Sequence, residues 1–328
     1  MNILNIEHIS KIFGDKTIFD DVSLGVHQGD KIGVLGVNGT GKSTLLKIIA
    51  GMETADEGEV IFGRGIRTAF LPQNPEFPDG AKVLSYVTEG KHDPDGGEPV
   101  SEAKAILTKL GICDFEETVD HLSGGQKKRV ALARTLVDPA DVLILDEPTN
   151  HIDNDMALWL EDYLKRFKGV LIMVTHDRYF LDRVTNKIAE IDKGKLYTYD
   201  SNYSGFLALK TQREEMELAA ERKRRSLLRT ELEWVKRGPQ GRGTKQKARL
   251  DRYEQLKNME GPREARNVEM DSVGTRLGKK TIELHRISKA YGEKKLIKDF
   301  TYIILRDDRL GIIGPNGCGK STLMKICL

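Results

Sequence analysis

The chain has 328 residues, 39% of them hydrophobic and 31% charged, which is length for two soluble domains and apolar content for at least one full core. No run approaches the ~18 apolar residues of a membrane span, the N-terminus lacks a basic-then-apolar signal pattern, and three cysteines without paired spacing exclude a disulfide framework. The formal net charge of +2 hides an imbalance, because residues 222–252 carry 12 Lys/Arg against 3 Asp/Glu. A reduced, cytoplasmic protein with one strongly basic element is expected, and the seven histidines show no ligand spacing that would build a side-chain metal cluster.

In chain order, the first informative stretch is KIGVLG (31–36), a short apolar run that enters a glycine-rich turn. STLLKIIAG (43–51) follows as a helix with a glycine stop. Strand, loop and helix are the context that the pattern G-x-x-x-x-G-K-[ST] requires, and GVNGTGKS (36–43) fits it. Gly36, Asn38, Gly39, Gly41, Lys42, Ser43 and Thr44 are therefore the candidate phosphate cradle. Loop amides and the helix N-terminus face the phosphates, Lys42 adds a point charge, and the Ser43 hydroxyl suits Mg²⁺.

RTAFLP (67–72) reads as a strand that delivers Gln73 towards the metal or the water. LSGGQKKRVALAR (122–134) sets Ser123, Gly124, Gly125 and Gln126 at the start of a helix, a second N-terminus suited to an anion. VLILDEP (142–148) is a buried-strand run ending in two acids. In a P-loop protein Asp146 at that position holds Mg²⁺ through water, and Glu147 polarises the attacking water. VLIMV (170–174) then delivers Thr175, His176 and Asp177 to the same strand-end edge, where ligands sit in α/β sheets.

Beyond residue 200 the pattern changes. Phe206, Leu209, Met216, Ala220, Leu227 and Trp234 lie on a heptad-like stripe that predicts a long, partly exposed, coiled-coil-like helix. Gly238-Pro239 and Gly241-Arg242-Gly243 break it, and helix resumes over 245–260. Arg237, Arg242, Lys245, Lys247, Arg249 and Arg252 gather at and beside this hairpin tip. Acids are scarce where i,i+4 pairing would need them, so a nucleic-acid phosphate backbone is the expected partner.

Residues 287–326 repeat residues 9–48 at a constant offset of 278, without gaps. Ile9-Ser10-Lys11 recurs as Ile287-Ser288-Lys289, Phe13 as Tyr291, and GVNGTGKSTLLKI as GPNGCGKSTLMKI. Gly314, Asn316, Gly317, Gly319, Lys320, Ser321 and Thr322 thus form a second cradle, with Ser321 in the metal position. A cassette needs a signature, an Asp-Glu strand and a His after its P-loop, so the chain is expected to be truncated early in its second copy.

LSGGQ, followed by the DEP-bearing strand and then the His, resembles the ATP-binding cassette proteins over nearly all of residues 1–200. DEPTNHID (146–153), the run 175–206 and the segment 231–256 are similar to the ABC-F branch, soluble tandem cassettes that act on the ribosome. The resemblance implies that Phe13, and Tyr291 in the second copy, stack on adenine, and that Lys42, Ser43 and Thr44 hold phosphates and Mg²⁺. It implies that Gln73 and His176 sense the γ-phosphate, that Glu147 is the general base and that Asp153 couples the two sites. Ser123, Gly124 and Gly125 would grip the nucleotide of a facing cassette. Several ABC-F proteins carry a helical arm between the Gln loop and the signature; only 49 positions separate Gln73 from Leu122 here.

The expected architecture is an α/β P-loop cassette over 1–200, a basic helical-hairpin linker over 201–266 and a partial second cassette over 267–328. The expected activity is ATP hydrolysis with ATP and Mg²⁺, on ribosomes and P-site tRNA reached through the linker, with no membrane and with self-pairing of first cassettes open to the chain. An ATPase subunit of a membrane transporter and a non-catalytic, ATP-dependent ribosome-binding module are the alternatives.

Overall fold

The computed structural model describes residues 2–90, 99–236, 253–255, 257, 280–291, 294–306, 308–314 and 317–327. The chain divides into two compact units, Met1–Tyr203 with Thr275–Leu328, and Ser204–Gly274.

The first unit opens with a hairpin, β1 (Asn2–Phe13) against β2 (Lys16–His27), and β4 (Glu57–Phe62) joins β1 on its other side. A second sheet has six strands in the order β5-β6-β7-β3-β8-β9. They are β3 (Lys31–Gly36), β5 (Thr68–Leu71), β6 (Val142–Asp146), β7 (Val170–Val174), β8 (Lys187–Asp192) and β9 (Lys195–Tyr199). All neighbours run parallel except β9, which returns antiparallel to β8. The runs VLILD and VLIMV are buried at every position, as strands covered on both faces must be.

Period-two alternation splits those strands between two cores. Val142, Ile144, Val170, Ile172 and Val174 face a core shared with β1, β2 and Leu45, Leu46, Ile48 and Ile49 of α1 (Lys42–Ile49). Leu143, Leu145, Leu171 and Met173 face the opposite core. There they meet α2 (Val83–Thr88), α3 (Pro99–Lys109), α4 (Gly124–Val137), α5 (Asn154–Arg166) and α6 (Arg178–Val184). Because β3, β5, β6 and β7 are parallel, Gly36, Leu71, Asp146 and Val174 all end at one edge of the sheet.

The internal repeat holds at the level of single hydrogen bonds. β10 (Lys280–Tyr291) and β11 (Lys294–Leu305) pair antiparallel with the bulges of the first hairpin reproduced. His8 N–H donates to Ser23 Oγ at 3.0 Å and Arg286 N–H to Thr301 Oγ1 at 3.0 Å. Asp21 N–H donates to Ser10 Oγ at 3.2 Å, matched by Asp299 N–H and Ser288 Oγ at 2.9 Å. His8, Asp21, Arg286 and Asp299 all have positive φ, so each hairpin carries the same bulge at the same place. α8 (Lys320–Cys327) follows the second P-loop, yet Leu310, Ile312 and Ile313 before it are exposed and not in a strand. The counterparts of Leu310 and Ile312, Ile32 and Val34, are buried where β3 has β7 and β8 beside it.

The second unit is represented chiefly by α7 (Tyr203–Lys236), whose first residue belongs to the cassette unit. The long helix is present, but the expected apolar stripe is not its shielded side. Leu209, Met216 and Leu227 are exposed, and the less exposed line runs through Lys210, Arg213, Glu217, Glu221 and Arg224. Ion pairs run along that line: Arg213 lies 3.6 Å from Glu217, and Glu221 accepts from Arg224 and Arg225 at 2.7 Å each. Long aliphatic stems held in such pairs cover helix surface as apolar residues would. The hairpin tip with Arg237, Arg242, Lys245, Lys247, Arg249 and Arg252 lies outside the described residues, as does Asn316.

Candidate nucleotide-binding site

At the carboxyl edge of the six-stranded sheet lies a cavity of about 470 Å³. It is lined by Phe13, Ile18, Asn38, Gly39, Gly41, Lys42, Ser43, Thr44, Gln73, Asp146, Glu147, Val174 and His176. Residues far apart in sequence meet there because four parallel strands deliver them to one edge, the usual ligand position in α/β sheets.

The cradle is shaped by backbone constraint. Gly41 caps α1 with φ 96°, and a Cβ there would collide with the Ile18 side chain and the Phe19 ring. Only glycine turns the chain at this point. The second copy repeats the geometry, with Gly317 and Gly319 at φ 78° and 106° against 78° and 96° for Gly39 and Gly41. Lys42 Nζ donates to the carbonyls of Gly36 at 2.9 Å and Val37 at 3.2 Å, and Lys320 Nζ donates to Gly314 O at 2.5 Å. Burial holds the Lys42 pKa below its usual range, while Glu147 and Asp146 oppose that shift. Lys16 Nζ, 2.8 Å from Gly39 O, braces the loop from outside.

Opposite the cradle, Asp146 ends β6 only 1% exposed, and neither of its carboxylate oxygens has a hydrogen-bond partner among the described residues. A buried, unpaired carboxylate is costly unless a cation or donor completes it. With the Ser43 hydroxyl and Gln73 on the same cavity, these all-oxygen donors fit a hard divalent cation such as Mg²⁺.

Glu147 is 4% exposed and adopts φ 54°, a left-handed conformation that is strained for a side chain of this kind. Its N–H donates to Val174 O at 2.8 Å. His176 N–H donates to Glu147 Oε2 at 3.4 Å, and His176 Nε2 lies 3.3 Å from Oε1. Burial pushes the Glu147 pKa up; the charge and N–H of His176 pull it back, and Asp146 adds to the rise. Thr149 Oγ1 and Thr175 Oγ1, 2.7 Å apart, tie the two strand-end loops together.

Phe13 sits half-exposed at the cavity mouth with Lys11 Nζ 5.3 Å from its ring centroid. Lys11 is anchored on Thr54 O at 2.7 Å and Asp56 Oδ1 at 3.1 Å. Tyr291 and Lys289 form the same pair at 5.2 Å in the second copy.

Gly36 meets Lys42 through its carbonyl but does not line this cavity, and neither do three further groups singled out in the sequence. Ser123 is the N-cap of α4 in a full capping box: Gln126 N–H donates to Ser123 Oγ at 3.4 Å and Ser123 N–H to Gln126 Oε1 at 2.9 Å. Gly124 is exposed, and Gly125 packs so close to His151 that a Cβ would lie 3.2 Å from the histidine's own. Asp153 caps α5 by accepting from Met156 N–H at 3.0 Å.

Sequence reasoning missed Lys128. It lies on α4, 6% exposed, and its ammonium donates to Gln73 O at 2.7 Å, Asp146 O at 3.0 Å and Pro72 O at 3.1 Å. Burial lowers its pKa against the pull of Asp146 and Glu147. The signal was in the spacing: Lys128 falls on the stripe Ala131, Leu132, Thr135, Leu136, where a charge is out of place.

The cradle, the buried acids and the signature helix match a family model described as ABC transporter over residues 19–150, and a second model of that description matches residues 189–270. The chain belongs to the ATP-binding cassette family. It is 43% identical to "Uncharacterized ABC transporter ATP-binding protein YfmR" of Bacillus subtilis, over 99% of this chain and 57% of that protein. It is 37% identical to "Energy-dependent translational throttle protein EttA" of Haemophilus influenzae, over 99% of this chain and 66% of that one. These relatives bear out the ABC-F resemblance, and the chain spans about 57–66% of their length. The two matches run over 361 and 364 positions against 328 residues, so the relatives hold residues inside the matched span that this chain lacks. Among solved structures, "Structure of ATP binding subunit of ABC transporter" matches at TM-score 0.55 and 18% identity, over 60% of this chain and 90% of that one, which supports the fold. No helix among the described residues is long and apolar enough to cross a membrane.

Proposed function

We propose that the cassette binds Mg·ATP in the strand-end cavity and hydrolyses it, and that nucleotide governs its attachment to the ribosome. The observation that carries the nucleotide reading is the cavity itself. A cationic glycine cradle faces a buried carboxylate with no partner among the described residues, and a second buried acid held by a histidine stands beside it.

Gly36, Asn38, Gly39, Gly41, Lys42, Ser43 and Thr44 hold the phosphates, and Phe13 covers the base. Ser43, Gln73 and Asp146 hold Mg²⁺, which when bound neutralises charge on the phosphate oxygens. Glu147 accepts a proton from the attacking water; the water oxygen bonds to the terminal phosphorus, the bridging P–O bond breaks, and ADP leaves. His176 orients Glu147 and meets the terminal phosphate. Ser123, Gly124, Gly125 and Gln126 engage the nucleotide of a facing cassette, and Asp153 relays between the two sites. The second cradle, with Tyr291, Gly314, Asn316, Gly317, Gly319, Lys320, Ser321 and Thr322, takes a second nucleotide, Ser321 holding its metal. Arg237, Arg242, Lys245, Lys247, Arg249 and Arg252 meet rRNA and P-site tRNA phosphates. The translational role in the name of the EttA relative and the basic run support the ribosomal part.

Calorimetry with Mg·ATP tests the nucleotide site: the native chain should bind and Lys42→Ala should lose most of that affinity. Unchanged binding by the variant would sink the assignment. Cosedimentation with ribosomes, with and without ATP, tests the partner; equal pelleting in both conditions argues against nucleotide control.

A further inference from the structure

Lys128 stands outside the nucleotide cavity yet touches two elements that build it. An ammonium has three N–H donors and no acceptor. Here it finds three carbonyl oxygens, two from the loop carrying Gln73 and one from the strand end carrying Asp146. Stripe position and burial at this point are met elsewhere on α4 by Leu132 and Leu136. A leucine at 128 would satisfy the core and leave the three carbonyls without that donor. A buried cation costs free energy unless its donors are used, and these three are.

We infer that Lys128 is a positioning residue that locks the Gln73 loop to the Asp146 strand end and couples both to the signature helix. One nitrogen holds the backbone carbonyls of Gln73 and Asp146, so it fixes the separation from which their side chains reach the cavity. Lys128 lies five residues after Ser123, the N-cap of the same continuous helix. Movement of Gln73 towards a terminal phosphate is thereby felt at Ser123, Gly124 and Gly125, without any contact between those residues and the cavity. This inference rests on the nucleotide reading above.

The test separates the two claims. Mg·ATP binding by the native chain tests the nucleotide reading alone. Lys128→Met keeps an unbranched stem and removes every donor, and its fold is checked by circular dichroism at the temperature used. Loss of the lock should weaken Mg·ATP by about tenfold, the scale of one charge-assisted hydrogen bond, and Mg·ADP by less than about twofold. Lys128→Arg, which keeps charge and donors, should restore at least part of that discrimination. Equal weakening of both nucleotides, or of neither, would overturn the inference, because a merely structural lysine does not distinguish them. If Lys128→Met does not fold, amide exchange on the native chain decides. Mg·ATP, but not Mg·ADP, should slow exchange at Gln73 and at Gly124, Gly125 and Gln126 together. Slowing at Gln73 with none at the start of α4 would also overturn it.

Discussion

Glu147 combines three features that stability alone would not select: a left-handed backbone, burial of a carboxyl group and a raised pKa. A non-glycine residue in that region costs about 1–3 kcal/mol and persists only where its surroundings hold it. The surroundings here are Val174 O, which takes its N–H, and His176, which meets both carboxylate oxygens. Glu147→Gln preserves the shape and removes the proposed base. Phosphate release should then slow by roughly 10²–10⁴-fold while Mg·ATP affinity persists; normal hydrolysis by the variant would refute the assigned role. Asp146 and Glu147 were legible in the sequence because a wholly apolar strand run ended in two acids, an arrangement with few structural uses. Lys128 was not. Its neighbours Lys127 and Arg129 make it read as one of a basic cluster, and only the carbonyls of distant loops reveal why it is buried.

Among elements, the P-loop shows how far local rules reach. Both copies take the same glycine conformations, because the left-handed φ at Gly41 and Gly319 is dictated by the turn into the helix. Gly41→Ala should therefore lose nucleotide binding and cost about 1–3 kcal/mol in a denaturant titration, since the new methyl group meets Ile18 and Phe19. An alanine variant that binds normally would show that the hairpin yields. Helix α7 shows where local rules stop: its presence followed from the heptad-like spacing, but its shielded side did not, since the less exposed line carries ion-paired residues in place of Leu209, Met216 and Leu227. Glu221 is the clearest member, its pKa held down at about 2 by hydrogen bonds from Arg224 and Arg225. A lowered carboxyl pKa contributes stability that is complete above the ordinary value of 4.5 and is lost as pH falls to about 2. Carbon-detected titration of Glu221 should give a midpoint well below 4, returning upward when Arg224 and Arg225 are both replaced by alanine. A midpoint near 4.5 in the native chain would mean that the pairs are not formed in solution.

For the whole molecule, charge placement is what the proposed ribosomal partner rests on. The net charge of +2 is the sum of a mildly acidic remainder and a run at 222–252 that carries 12 basic against 3 acidic residues. Such a run can be a solvated helix face or a phosphate-binding one, and Glu221 with Arg224 and Arg225 shows that its first part finds acids within α7 itself. Between Arg237 and Lys247 there are none, so Arg242 and Lys245 have no acid within four residues, while Lys247 and Arg249 share Asp251 alone. Phosphate contacts release condensed counterions, which makes affinity fall linearly with log salt. Ribosome affinity should therefore fall steeply with added KCl in the native chain, measured by cosedimentation at constant Mg²⁺. Replacing Arg242, Lys245, Lys247 and Arg249 with glutamine should flatten the log–log slope by about 0.7–0.9 for each phosphate that is no longer neutralised. The Lys42→Ala variant provides the contrast, because it removes nucleotide and leaves the basic run intact. Its affinity should drop at every salt concentration without a matching change in slope. If the fourfold glutamine variant keeps the native slope, the basic run is a solvated face, and ribosome attachment must come from the cassettes.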